Sequence, residues 1–306
     1  MKIRLGYACI TNCLDSTSSS PYTYGEYLKY GDMEKLDRVI VSNLKSLDEI
    51  IYYNIKNNIH FYRMSSKIIP LATKSDVKFD YINKYKSYYD KIGKMISDYD
   101  MRVDFHLDQF CVLNSVKSNV VSASIDILKY HYNLLEAFGI KNKILILHVG
   151  SNSFGKDNSI RRFINNFNKL PKYLRECIAI ENDDKVFNVS DVLEISKIIG
   201  VPVILDYHHH LCNKSDFSFD DIFNSFNNGR VKMHFSSPRN KKNFRSHNDY
   251  INGDDFIDFI KILKKYDMDV DIMIEAKYKD DSLFRLVRYI KYKTDYRFID
   301  DTTFIV

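Results

Sequence analysis

Eight short runs of β-favouring apolar residues alternate with longer amphipathic segments along the whole chain, and this alternation constrains the fold more than any other feature. The runs are Ile3–Ala8, Ile59–Arg63, Arg102–His106, Ile144–His148, Ile178–Glu181, Val201–Asp206, Val231–Phe235 and Asp271–Ala276. Eight is the number of strands a closed parallel barrel needs. Between them, helical periodicity runs over Glu34–Asn57, Val77–Tyr99 and Asn119–Phe138, the last stopping at Gly139. Asn188–Ile199 opens on a capping residue and stops at Gly200, and Asp254–Tyr266 opens on two acidic residues suited to a helix N-terminus. There is no Pro/Gly/Ser linker, low-complexity block or internal repeat. An open doubly wound sheet would usually carry a glycine-rich loop after its first strand, whereas Cys9 to Ser20 contain no glycine. The sequence therefore predicts a single α/β domain over residues 1–306, a (β/α)8 TIM barrel.

Side chains at the C-terminal ends of barrel strands converge on one mouth. His106, His148, Glu181 and Asp206 end the third to sixth runs, while His234 and Glu275 lie near the ends of the seventh and eighth. His209 and His247 follow shortly after the sixth and seventh, with His208 and His210 close by. Taken singly, a strand-end histidine is commonly a hydrogen-bonded structural residue, and a lone carboxylate is often a helix cap. Six successive strands that each deliver an ionisable group are another matter, because such buried groups must be paired or metal-bound. Imidazole and carboxylate ligands without cysteine suit Mn²⁺, Zn²⁺ or Fe²⁺. Eight candidates exceed one ion's needs and fit a cluster of two or three, particularly if Glu181 bridges. Clustered metals favour phosphoester cleavage, since they generate hydroxide at neutral pH and neutralise charge on the reacting oxygens.

The remaining composition mostly excludes. No apolar run is long enough to span a bilayer, and the N-terminus lacks a signal peptide's pattern, so a cytoplasmic protein is expected (nucleoid-associated if bacterial) with no membrane partner. The five cysteines, Cys9, Cys13, Cys111, Cys177 and Cys212, are odd in number and scattered, which argues for reduced thiols. The net charge of +5 permits contact with a polyanion without demonstrating it.

Motifs spread over nearly the whole chain sharpen this reading. They are Arg4-Leu5-Gly6-Tyr7, Tyr62-Arg63-Met64-Ser65-Ser66, Ile69-Pro70-Leu71-Ala72-Thr73, Phe105-His106 with Gln109-Phe110, and Glu181-Asn182-Asp183-Asp184-Lys185. Asp206-Tyr207-His208-His209, Lys232 to Pro238, Arg245-Ser246-His247 and Ile274-Glu275-Ala276-Lys277 complete the set. In these residues the chain resembles the UV damage endonuclease family, relatives of endonuclease IV with a TIM-barrel fold. The resemblance implies metal ligands at His106, His148, Glu181, Asp206, His209, His234, His247 and Glu275. It places His106, His148 and Glu181 on one ion, Glu181, Asp206, His234 and Glu275 on a second, and His209 and His247 on a third. Manganese is the ion it implies, with Zn²⁺ or Co²⁺ as alternatives. Catalytic roles are expected for Glu181, Glu275, Lys232 and Tyr7. Lys232 matches a lysine that is carboxylated in the family, an ordinary solvated or DNA-contacting lysine being the other reading. Tyr7 matches a residue at the damage pocket, with a purely structural tyrosine as its alternative.

Gln109 and Phe110 resemble a probing pair inserted into the duplex at the lesion, where a wedge replaces stacking lost when bases are extruded. Core packing is the other reading of Phe110. Leu107-Asp108 departs from the family's usual proline and small or polar residue, and Gly150-Ser151 stands for a commoner Gly-Gly. Arg239, Arg245 and Lys277, with Lys241, Lys242 and Lys279, fall in loops after the last two strands, where DNA phosphates would be met. The resemblance thus implies a DNA repair endonuclease on damaged double-stranded DNA, without an obligate protein partner. It would nick the backbone immediately 5′ of cyclobutane dimers and 6-4 photoproducts, with abasic sites as a further class, by in-line attack of a metal-generated hydroxide. Two other functions fit parts of the pattern: a metal-dependent sugar isomerase on a related barrel, and a non-catalytic lesion-binding protein.

Overall fold

The computed structural model describes residues 1–227 and 229–306. Eight parallel strands occur in the predicted order: β1 (Lys2–Ala8), β2 (Phe61–Met64), β3 (Arg102–His106), β4 (Leu145–His148), β5 (Ile178–Glu181), β6 (Val203–Asp206), β7 (Val231–Phe235) and β8 (Val270–Ile274). Each pairs with its successor, and β1 pairs in parallel with both β2 and β8, which closes the barrel. Two further strands fall outside the eight-run pattern. β9 (Arg297–Phe298) and β10 (Thr303–Ile305) form an antiparallel pair, and β10 lies against Lys2–Arg4 of β1. β2 reaches β1 only at Tyr7 and Ala8, so the C-terminal hairpin covers the first half of β1. Two- and three-residue strands carry too few side chains to show a period of two, which is why the sequence hid them.

Helix boundaries follow local chemistry. The helix Val189–Ile199 has a capping box between Asn188 and Asp191 and ends on Gly200 in the left-handed region. The predicted segment Val77–Tyr99 instead divides into Tyr81–Lys84 and Lys86–Asp98. The eighth strand ends earlier than its apolar run, so Glu275 and Ala276 lie just beyond it.

Strand parity sorts the side chains into two environments. Ile3, Leu5 and Tyr7 join Tyr62, Met64, Val103 and Phe105 in the large core shared with helix residues such as Leu44 and Leu47. A separate small cluster of Ala8, Phe61 and Met273 belongs to the opposite parity, inside the barrel. There the packing is tight: a Cβ on Gly6 would lie 2.1 Å from the Phe61 carbonyl oxygen. Much of the remaining interior is ionic. Asp271 receives Arg4, Arg102 and Arg230 at the barrel floor, and Asp104 pairs with Lys232 higher up.

Candidate metal centre

The inward parity that carries Asp104 and Lys232 continues to His106 and His234 two residues on, so the strand ends aim their ligand-type side chains into one mouth. Three groups of ligand atoms form there, each with its atoms within 4.8 Å of one another: His106, His148 and Glu181; Glu181, Asp206 and His209; and Asp206, His234 and Glu275. Glu181 and Asp206 each belong to two groups, so they link all three. His247 stands at the margin, with Nδ1 3.9 Å from Glu275 Oε2 and its ring 6.3 Å from that of His209. His209 lies with Glu181 and Asp206 and also faces His247. His208 and His210 belong to none of these groups; His208 packs against Phe244 and His247.

Hydrogen bonds fix the orientation of the ligands. His106 Nδ1 donates to the Leu107 carbonyl at 2.9 Å, leaving the Nε2 lone pair facing Glu181 Oε2 at 2.6 Å. Two electron-rich atoms at that separation require a proton or a metal ion between them. His209 Nδ1 donates to the Asn182 carbonyl at 3.0 Å and lies 3.5 Å from Glu181 Oε1. Asn182 is buried, and its side chain also brackets the Asp206 backbone through bonds of 3.0 and 2.9 Å. Asp206 Oδ1 caps the following short helix by accepting from His209 N at 2.7 Å. Its Oδ2 is buried and has no hydrogen-bond partner among the described residues. An orphaned carboxylate oxygen amid imidazoles and carboxylates, with no thiolate, fits a divalent metal ion.

The electrostatics agree. Burial pushes the Glu181 carboxyl up, but His234, His106 and His148 outweigh it and hold the group well below the usual range. Burial pushes Asp206 up to about 7, helped by Glu181 and Glu275 and opposed by His209. Burial disfavours the His209 imidazolium, yet Asp206, Glu181 and Glu275 raise it to about 9. The carboxylates thus retain positive charge on His209.

Arg63 is the residue that sequence reasoning left out of the site. It is buried, with Nη1 2.6 Å from Glu275 Oε1 and Nη2 donating to His234 Nε2 at 2.7 Å. Its parity with Phe61 was the available signal, because that face of the strand points into the barrel. Asp104 was missed for the same reason, two residues before His106.

Lys232 is wholly buried, 2.5 Å from Asp104 Oδ2 and over the Phe61 ring, and so is not a solvated lysine. Burial pushes its ammonium down to about 7, against the pull of Asp104. Tyr7 does not reach the mouth: its hydroxyl donates to Asn54 Oδ1 at 2.8 Å, inside the helix-facing core. Its parity with Ile3 and Leu5 is the reason. Phe110 is 69 % exposed rather than packed in the core, and Gln109 is exposed beside it. Asp108 Oδ1 accepts from the Phe110 backbone N–H at 2.8 Å, so the departing Leu107-Asp108 pair supplies a buried anchor and a turn. Arg239, Arg245 and Lys277 are exposed on the mouth loops, with Arg245 3.5 Å from Asp184 and Lys277 3.4 Å from Asp249.

A closed (β/α)8 barrel whose mouth gathers shared His, Asp and Glu groups defines a class of enzymes that work at the strand C-termini, with side chains able to hold metal. Within that class the chain belongs to the family described as UV-endonuclease UvdE, whose sequence profile matches residues 3–303. The UV DNA damage endonuclease of Bacillus cereus (strain B4264) is 36% identical over 298 residues, covering 94% of each chain. The crystal structure of SacUVDE superposes with a TM-score of 0.87 at 34% identity, over 95% of this chain and 98% of that one. Endonuclease IV from Thermus thermophilus shares the fold, with a TM-score of 0.58 at 13% identity over 95% of this chain and all of its own. The protein is therefore a nuclease of a UV-damage repair family, with DNA as its substrate.

Proposed function

We propose that the protein incises the DNA backbone immediately 5′ of a UV photoproduct, leaving a 3′-hydroxyl and a 5′-phosphate. Cyclobutane dimers and 6-4 photoproducts are its substrates, with abasic sites as a further class. The observation that carries this reading is the linked set of ligand groups, with its orphaned Asp206 oxygen, at the same mouth as the exposed Gln109 and Phe110. Manganese ions bound there would supply Lewis-acid activation of water and neutralise charge on the phosphate.

The chain's own residues do the rest. His106, His148 and Glu181 would hold one ion and Asp206, His234 and Glu275 another, and Glu181 Oε1 lies 3.0 Å from His234 Nδ1 between the two groups. His209 completes the space between them. Arg63 keeps Glu275 and His234 in place, and Lys232 supports Arg63's neighbour Asp104 from below; both are positioning residues. Gln109 and Phe110 enter the duplex where stacking is already weakened by the lesion. Arg239, Arg245 and Lys277 meet phosphates and set the register.

The test is to incubate irradiated and untreated supercoiled DNA with the protein, with and without Mn²⁺, beside Glu275→Gln. Metal-dependent nicking confined to irradiated DNA, and reduced at least 100-fold by the substitution, is expected from losing one ligand charge (about 3 kcal/mol or more). Equal nicking of both DNAs, or an unimpaired Glu275→Gln enzyme, would refute the proposal.

A further inference from the structure

The loop after β4 presents a feature that the site described above does not use. Phe154 is 79 % exposed, more than any other large apolar side chain described on a loop that follows a barrel strand. Its backbone sits at φ 61°, the left-handed region that an aromatic residue rarely adopts. An aromatic side chain held in solvent on an unfavourable backbone gains nothing from burial, so packing does not account for it.

The surrounding loop is built to hold that position. Asn114, in the loop that follows β3, donates from Nδ2 to the Ser151 carbonyl at 2.7 Å and accepts from Ser151 N at 2.8 Å. Arg162 donates from Nε to the Asn114 carbonyl at 2.9 Å and from Nη2 to the Ser153 carbonyl at 2.5 Å. Asn158 Nδ2 donates to the carbonyl of Phe154 itself at 2.8 Å. Gly150, at φ 109°, permits the close approach, since a Cβ there would lie 2.8 Å from Asn114 Oδ1 and 3.0 Å from Val112 Cγ1. The loops carrying Phe110 and Phe154 are thus tied into one platform. The first begins just after His106 and the second just after His148, two residues that share a ligand group.

We infer that Phe154 is a second DNA contact, stacking on a base unstacked beside the candidate metal centre and working with Phe110 from this joint platform. Every base has a π-face, so the contact is tolerant of sequence and adds affinity where stacking within the duplex is broken. The inference rests on the DNA-repair reading above.

Phe154→Gly tests it with little risk to folding, because glycine suits φ 61°. Binding of an irradiated oligonucleotide duplex is followed by fluorescence anisotropy in EDTA, beside Phe154→Tyr, with Mn²⁺ affinity and Tm measured in parallel. Phe154→Gly should weaken binding to the irradiated duplex about 5- to 150-fold, the range for removal of one base–aromatic stack. Its Tm and Mn²⁺ affinity should not fall, and Phe154→Tyr should bind as the parent does. Unchanged binding by Phe154→Gly, or equal losses in both variants, would overturn the inference alone. A parent protein that binds irradiated and untreated duplexes equally would overturn the DNA-damage reading, and this inference with it.

Discussion

Asp271→Asn separates the barrel floor from its mouth. Asp271 is wholly buried, and its two oxygens accept from Arg4 Nε and Nη2 at 2.7 Å, Arg230 Nε at 2.6 Å and Arg102 Nη1 at 2.9 Å. Burial alone would raise its pKa, but the three guanidiniums hold it down to about 2, against an ordinary value of 3.8. At 1.36 kcal/mol per unit, that depression contributes about 2 kcal/mol to stability at neutral pH. Removing one partner of a buried ion pair costs about 3–5 kcal/mol, and the lower end applies here because the arginines retain some solvent contact. Both routes give roughly 2–3 kcal/mol. With an unfolding entropy of about 2.1 cal/mol/K per residue over 306 residues, the Tm should fall by roughly 3–5 °C.

The pH dependence has a definite sign. A depressed carboxylate stabilises fully above its unfolded pKa and loses that contribution as pH falls through the folded one. The gap between parent and variant should therefore be constant above about pH 5 and close between about pH 4 and 2. Asp271 lies four residues before Glu275, about 13 Å along the strand direction, so Mn²⁺ affinity should stay within about twofold. Calorimetric scans across pH and a metal titration check both parts. A Tm change below about 1 °C at pH 7, or a gap that widens in acid, would show that the floor ion cluster does not stabilise the barrel as argued.

Other outcomes follow from the same geometry. Phe110→Ala should weaken binding to irradiated duplex about 5- to 150-fold while leaving Mn²⁺ affinity unchanged, as anisotropy and metal titration would show. Replacing Arg239, Arg245 and Lys277 together with Gln should flatten the slope of log K against log salt by up to about 2.7, read from binding isotherms at several salt concentrations. Gly6→Ala should prevent normal barrel closure, since the added Cβ would meet the Phe61 backbone at 2.1 Å, and soluble yield with far-UV circular dichroism would report it.

Much of the site was legible because it depends on strand order and strand ends. Once eight β-rich runs are recognised, His106, His148, Glu181, Asp206 and His234 must emerge at one mouth, and Glu275 one residue beyond. Parity was equally available but unused: Tyr7 follows Ile3 and Leu5 into the helix-facing core, while Arg63 and Asp104 follow Phe61 and Arg102 into the barrel. The platform that presents Phe154 could not be read in advance. It depends on Asn114 and Arg162 meeting a loop 37 to 48 residues away in pairings that no local pattern encodes.

The sequence by itself determined the barrel and which ionisable residues reach its mouth, because periodicity and strand termination are local properties. Only the tertiary structure decided which of these side chains lie within reach of one another. That depends on a few ångströms of stagger between neighbouring strands and on the loops beyond them. His209 consequently joins Glu181 and Asp206, His247 stands apart, and Arg63 occupies the space beside Glu275 and His234.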